Sequence, residues 1–399
     1  MAKILFTWEL GMGLGHLMGI KSFCELLKGH ELHLAAKDLR HVGSIFSGVD
    51  IEIHQAPFLQ GGIGNPVEPA FCYSHILHNC GFSEKKVLSS LVRAWQNLFF
   101  AVKPDVVVFE HSPTALLAAV HLNFKKIGIG TGFTSPSPSK PMGLFFPDST
   151  SEQGRNKLVE FECGLLKTLN EVLFDLHMSP LESLQSLFAQ LDKSIVSGVP
   201  ALDHFCERRN EYGAYVDYTG IPKPEKATNP AWPEVEGKRI FAYTHRFHKL
   251  PLLLSALKQS RQPSIVYSSS ITHELISQFS AENLRFFNSP LDVDEISKTC
   301  SFAITNGNYN LSSQLLLRGI PLVIVPLHRE QQIFANIVEK TGAGVVVDHR
   351  DNEDIIAKLN LVANSESFKR KAESFATELN QFQRESPQKL FQDVLNSIG

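Results

Sequence analysis

Short apolar runs alternate with stretches in which apolar residues recur every three or four positions, and this alternation extends along almost the whole chain. Lys3-Ile4-Leu5-Phe6-Thr7 reads as a strand, Gly11-Met12-Gly13-Leu14-Gly15-His16 as a glycine turn, 17–27 as a helix and 32–36 as the next strand. Such a βαβ unit predicts a parallel sheet. A third strand near 51–53 leads into a Gly- and Pro-rich loop reaching about Cys80, long enough to suggest a functional role. A helix from Ser83 follows, with Val87, Leu88, Leu91, Trp95 and Leu98-Phe99 on its apolar face. The run Val106-Val107-Val108-Phe109 has the continuous apolarity of a buried parallel strand and ends at Glu110-His111. Another strand, 126–130, opens into Thr131-Gly132-Phe133 and a Ser/Pro loop carrying Met142-Gly143-Leu144-Phe145-Phe146. That apolar tip is read as packed loop, with a ligand wall or a peripheral membrane contact as the alternatives.

Residues 152–192 read as long helices, and 218–238 has many prolines without periodicity, as an interdomain linker would. The second half repeats the α/β alternation, with strands at 239–244, 264–268, 284–287, 301–304, 320–326 and 342–347. The domains expected are therefore 1–217, a linker 218–238, a second domain 239–383 and a closing helical segment 384–399. Two α/β halves on a proline-rich linker imply a cleft between them.

The organising stretch is Thr305-Asn306-Gly307-Asn308-Tyr309-Asn310-Leu311-Ser312-Ser313, a polar turn between a strand and a helix. A helix start gathers backbone N–H groups that favour an anion, usually a phosphate. The next βα step brings Glu330 and Gln331 to a strand end of the same sheet, where ligands bind in open α/β folds.

Composition adds mainly exclusions. The 399 residues are ordinary for globular protein, and a formal net charge of −3 without a long basic run argues against nucleic acid as a main partner. Six cysteines (Cys24, Cys72, Cys80, Cys163, Cys206, Cys300) are scattered without a C-x-x-C pair, so reduced thiols in a cytoplasmic protein are expected. The first residues already form a strand, with no leader-like apolar region and no stretch of membrane length. Cys72 and Cys80 with His75 and His78 could ligate a metal, but such tracts arise by chance in loops. Asp292-Val293-Asp294 has the look of a metal-binding pair and is better read as a helix cap, with Glu295 completing a capping box. No metal and no bound cofactor is expected.

The first glycine turn invites a dinucleotide reading, with Asp38 where a ribose-binding acid would stand. Position 16, where the third fingerprint glycine belongs, is His, so that reading is rejected. Instead the glycines open room for a substrate and His16 serves as a base. A base histidine needs an acceptor at its other nitrogen, which Glu110 could supply, with His111 next door competing for the role.

Several segments now occur in a familiar order: Gly13-Leu14-Gly15-His16, Pro104-Asp105-Val106-Val107-Val108 with Pro113-Thr114-Ala115-Leu116-Leu117, Gly130-Thr131-Gly132-Phe133, Gly319-Ile320-Pro321-Leu322, Pro326-Leu327-His328-Arg329-Glu330-Gln331, Ala335-Asn336 and Gly342-Ala343-Gly344. Over nearly its whole length the chain resembles the GT-B glycosyltransferases of the UDP-glucosyl/glucuronosyltransferase superfamily, most of all the bacterial flavonoid- or macrolide-glycosyltransferase-like branch. The resemblance implies an α/β fold of two Rossmann-like doubly wound domains facing across a cleft. The first would bind the acceptor, a small molecule, lipid or glycan, and the second the nucleotide-diphosphate sugar. Transfer would be inverting and metal-independent, with His16 deprotonating the acceptor hydroxyl and Glu110 standing where the family often has an aspartate. Glu330 and Gln331 match the acidic-Gln pair that holds donor sugar hydroxyls. Thr244, Ser268 and His328 join them in the expected donor set, while Gly13, Gly15, His111 and Phe133 form the expected acceptor set. The last helix would cross back to the first domain.

The departure falls on the organising stretch. The family's His-Gly-Gly-x-Gly-Thr is here Asn306-Gly307-Asn308-Tyr309-Asn310-Leu311, and only Gly307 survives. Asn306 can donate a hydrogen bond without carrying charge, Asn308 and Asn310 tolerate left-handed backbone, and Ser312 and Ser313 offer hydroxyls. Two other readings stay open on the residues: a nucleotide-sugar hydrolase or epimerase on the same fold, and a degenerate GT-B protein that binds without catalysis.

Overall fold

The structure, a computed structural model, describes residues 1–205, 216–222, 227–268 and 270–397. Cys206 and residues 223–226 of the proline-rich segment lie outside the described residues. The chain divides into two compact units, Met1–Gly220 with Arg384–Gly399, and Ile221–Gln383.

In the first unit the apolar runs become β1 (Lys3–Trp8), β2 (Glu31–Ala36), β3 (Glu52–Gln55), β4 (Val106–Glu110), β5 (Lys125–Gly130), β6 (Lys193–Val196) and β7 (Val216–Tyr218). They form one sheet in the order β3-β2-β1-β4-β5-β6-β7, parallel throughout. A parallel sheet is covered on both faces, which is why β4 is buried at all five positions and its sequence reads as unbroken apolarity. Helix Gly15–Leu26 carries the chain from β1 to β2 and buries Leu17, Ile20, Phe23 and Cys24. Helix Pro387–Asn396, capped by the Ser386 hydroxyl, adds Leu390, Phe391 and Val394 to the same core, with Phe391 5.2 Å from Phe23 between ring centres. Each such side chain taken out of water contributes about 1.5–3 kcal/mol, enough to hold the end of the chain on this unit.

The second unit is built alike. Its strands β8 (Arg239–Tyr243), β9 (Ser264–Tyr267), β10 (Leu284–Phe287), β11 (Cys300–Thr305), β12 (Leu322–Ile324) and β13 (Gly344–Val346) form a parallel sheet in the order β10-β9-β8-β11-β12-β13. In both sheets the strand order reverses once, between β1 and β4 in the first and between β8 and β11 in the second. Beyond the carboxyl ends of the strands at such a reversal lies the usual ligand position of doubly wound folds.

Three readings from the sequence meet the structure, and one of them changes in part. The apolar tip is interior: Met142, Leu144 and Phe145 are buried, and Tyr73 N donates to Met142 and Gly143 carbonyls. Packing of this loop onto residues 71–73 removes it as a membrane contact. Asp292 does cap its helix, accepting from Asp294 N at 2.8 Å and Glu295 N at 3.0 Å. The capping box, however, is only half made, because Glu295 turns to Lys298 at 2.6 Å and Asp292 N donates to Thr228 O. Finally, Cys72 pairs with the Ser74 hydroxyl at 2.9 Å, and Cys72, Cys80, His75 and His78 do not gather as a ligand set among the described residues.

Candidate active site

Both strand reversals hold polar side chains, and they hold them differently. At the first, β1 delivers the glycine turn and β4 delivers Glu110, one strand over. His16 is the second residue of its helix, and its Nδ1 lies 2.8 and 2.9 Å from the two Glu110 oxygens. A carboxylate can only accept, so Nδ1 carries the proton and Nε2 the lone pair. Trp8 stacks on the imidazole at 5.4 Å and 21°. The His16 side chain is 16% exposed and Glu110 6%, so the imidazole keeps some contact with solvent while its partner is screened.

The glycine that makes room for this pair is Gly11. A Cβ there would stand 2.3 Å from His16 Nε2, and its φ of +83° is itself in the left-handed region. Gly13 and Gly15, assigned to the acceptor set from sequence, have open space where a side chain would be. Gly13 serves the turn by its φ of +94°.

Behind the pair, His111 adopts φ +43°, uncommon for a residue with a side chain, and Leu10 N donates to its carbonyl. Burial, and secondarily the neighbouring His16, pushes its imidazole down to about 3, so it is neutral at physiological pH. Its ring lies among His16, Tyr73 and Phe133 at 5.9–6.1 Å. His111 Nε2, Tyr73 Oη and Thr131 Oγ1 are buried without a partner among the described residues. Sequence reasoning missed Tyr73 and also Glu9. The latter, just past β1, accepts from Trp95 Nε1 at 2.9 Å and from Thr114 N, which anchors the helix following β4. Burial raises the Glu9 carboxyl to about 8 against those two donors.

At the second reversal the helix runs Tyr309–Leu317 with Asn308 as its cap residue, and no side chain caps it. Its start therefore lies three residues before Ser312. Ser312 is inside the helix, fully buried, with its hydroxyl 2.9 Å from Thr305 Oγ1. Left-handed backbone is confined to Gly307 (φ +80°), whereas Asn308 has φ −59°. A Cβ at Gly307 would meet the Gln331 carbonyl and Ile324 Cγ2, each at 3.1 Å, so space as well as backbone angle favours glycine here.

Asn306 is a brace. Its Oδ1 accepts from His245 N at 2.6 Å and its Nδ2 donates to Val325 O at 2.8 Å, tying together the chain beyond β8, β11 and β12. Gln331 likewise uses Oε1 to accept from Leu327 N at 2.8 Å. Ser268 bonds weakly to Ser270 at 3.4 Å. His328 is exposed at the start of helix Arg329–Thr341, and Glu330 is half-buried in its first turn. Four atoms of the expected donor set, Thr244 Oγ1, Asn308 Oδ1, Asn310 Oδ1 and Ser313 Oγ, are buried with no partner among the described residues. Sequence reasoning missed His245, whose Nε2 lies 3.5 Å from Asn308 Nδ2 and 3.4 Å from Tyr243 Oη. The signal was its place one residue beyond Thr244 at the end of β8.

Comparison with known proteins agrees with this architecture. No family model matches the chain. A segment of 87 residues, 21% of the chain, is 33% identical to an uncharacterized UDP-glucosyltransferase, YojK, of Bacillus subtilis (strain 168). That segment spans about a fifth of the length of the relative (22%). Among solved structures, the spinosyn rhamnosyltransferase SpnG complexed with thymidine diphosphate superposes with a TM-score of 0.64 at 15% identity, covering 99% of this chain and 100% of that one. The glycosyltransferase VinC, in complex with the same nucleotide, gives 0.66 at 13% identity and 99% of both chains. The fold is thus the GT-B fold, two Rossmann-like domains in one chain.

Proposed function

We propose that the protein is an inverting glycosyltransferase that moves a sugar from a nucleoside-diphosphate donor to an acceptor hydroxyl. The observation that carries this reading is the His16–Glu110 pair at the first strand reversal of a GT-B fold, with Nδ1 held by both carboxylate oxygens. His16 Nε2 takes the acceptor proton as the acceptor oxygen attacks the anomeric carbon. The bond from that carbon to the diphosphate oxygen breaks, and the electron pair leaves with the nucleoside diphosphate. Glu110 stabilises the imidazolium that forms, and Gly11, having no Cβ, does not crowd Nε2.

The donor's diphosphate sits at the start of helix Tyr309–Leu317. There the helix N-terminus supplies N–H groups and positive potential without requiring a metal. Thr244 and Ser313 hydroxyls donate to phosphate oxygens, and the Asn308 and Asn310 carbonyls accept from donor hydroxyls. An unmet buried polar atom costs about 1–3 kcal/mol, so three of them in the first turns of one helix and a fourth at the end of β8, the neighbouring strand, are better explained by a bound ligand than by packing. Glu330 and Gln331 are assigned to the sugar, His328 to the outer rim, and Asn306 to holding the turn. The aromatic wall of Phe133, Tyr73 and His111 suits a largely apolar acceptor, and a SpnG structure with a spinosyn aglycone offers the precedent of such a ligand in this fold.

The test is His16→Ala assayed with a panel of thymidine and uridine diphosphate sugars against polyphenol and macrolide acceptors. Loss of transfer with unchanged diphosphate binding supports the reading; unchanged transfer removes His16 as the base. Sugar release without acceptor would make the protein a hydrolase.

A further inference from the structure

Away from both strand reversals, the outer edge of the first sheet holds a second cluster of chemically active side chains. His33 on β2 is the register partner of Glu52 on β3, and His54 stands two residues further along β3. Residues two apart on a strand share a face, so Glu31, His33, Glu52 and His54 project to the same side. Their reactive atoms converge. His33 Nδ1 lies 3.0 Å from His54 Nε2 and 3.7 Å from one Glu52 oxygen, and His54 Nε2 lies 3.8 Å from the other. The two imidazoles stack at 15°. His33 is buried, while Glu52 is largely exposed.

The protons on this cluster follow from Glu31. Its carboxylate, held by Lys3 at 2.9 Å, accepts from His33 Nε2 at 3.0 Å. That bond fixes the proton of a neutral His33 on Nε2 and turns the Nδ1 lone pair towards His54. Metal-bound histidines nearly always have their second nitrogen held in this way by a carboxylate or carbonyl. Two tetrahedral nitrogen ligands at about 2.0–2.1 Å from zinc are about 3.3 Å apart, close to the spacing seen here. Two imidazoles and one carboxylate, with one side open to solvent, suit zinc better than a hard oxygen-loving cation.

We infer that His33, His54 and Glu52 form a zinc-class divalent metal site that staples the edge strand β3 to β2, with Glu31 orienting His33. Its role is structural. The site fixes the strand from which the long loop leaves at residue 56 towards Cys72, and it contributes nothing to the sugar-transfer chemistry.

The test is a titration of metal-free full-length protein with cobalt(II), followed by visible absorption, and with zinc(II), followed by calorimetry and thermal unfolding. The site predicts one equivalent of each, a tetrahedral cobalt spectrum and a rise in unfolding temperature with zinc. His54→Ala and Glu52→Gln, both at the accessible edge, remove these responses, and His16→Ala retains them. Glu31→Ala weakens binding by about 10- to 100-fold while keeping the stoichiometry. No saturable binding to the wild type, or binding unaltered in His54→Ala, overturns the assignment. So does loss of binding in His16→Ala, which would place the ion elsewhere.

Discussion

The two strand reversals are topologically the same place in two copies of one fold, yet the pair at the centre of the first and four polar atoms at the second are in opposite states. At the first, His16 and Glu110 satisfy each other, two short bonds deep, before any substrate arrives. At the second, Thr244, Asn308, Asn310 and Ser313 bury polar atoms that nothing among the described residues meets. A base must have its tautomer and orientation settled in advance. A ligand cup gains from being left unmet, because any internal partner would have to be displaced by the ligand. The comparison separates residues that look alike in sequence: Asn306 and Asn310 share one polar stretch, but the first is structural cement and the second buries a carbonyl oxygen that meets no partner among the described residues.

The largest effect should follow from removing the base. His16→Ala should lower transfer by about 100- to 10,000-fold, the usual contribution of a positioned acid–base group, while a nucleoside diphosphate still binds as in wild type by calorimetry. Gly11→Ala comes next. Its Cβ would overlap Nε2 and its φ disfavours a side chain, so we expect about a hundredfold slower transfer from a displaced imidazole. The strain should appear as about 1–2 kcal/mol of lost stability in chemical unfolding. Equal transfer by this variant would show that the ring has another place to go.

The second reversal can be split by two asparagines. Asn310→Ala should weaken binding of the nucleoside-diphosphate sugar, whose hydroxyl donates to its carbonyl, by about 5- to 30-fold, equivalent to 1–2 kcal/mol, with no loss of stability in the ligand-free protein. Asn306→Ala should instead destabilise the ligand-free protein by about 1–3 kcal/mol, since His245 N and Val325 O both lose their partner. Should the two variants behave alike, the distinction between brace and ligand-facing residue fails.

At neutral pH the smallest effect is that of His111, which shows only in acid. Burial lowers the imidazole of His111 to about 3 from an ordinary 6.5, so the unfolded chain binds the extra proton over that interval. Stability contributed by this neutral group is present above pH 6.5 and is lost as pH falls towards 3. The slope approaches about 1.4 kcal/mol per pH unit for one such group. His111→Asn, which tolerates the positive φ, should flatten the dependence of the unfolding midpoint between pH 6 and pH 4.

Much of the fold was legible in the chain because buried parallel strands write themselves as apolar runs, as at Val106–Glu110 and Leu322–Ile324. The partnership of His16 with Glu110 was legible too, since both stand at strand ends and a base requires an acceptor. Identity of the space-making glycine was not: Gly11, Gly13 and Gly15 differ only in what surrounds them. Nor was the start of the Tyr309–Leu317 helix, because Asn and Ser serve equally well as caps, turns and interior residues. His33 and His54 meet only through the register of β2 on β3, which spacing along the chain does not reveal.

The central claim, a nucleoside diphosphate seated on the Tyr309–Leu317 helix start, is tested most directly by calorimetric titration of thymidine and uridine diphosphates into the wild type and Ser313→Ala. The account predicts saturable binding of at least one of them, at one site per chain, weakened in the variant. Absence of binding by either nucleotide, or equal affinity in the two proteins, would contradict it.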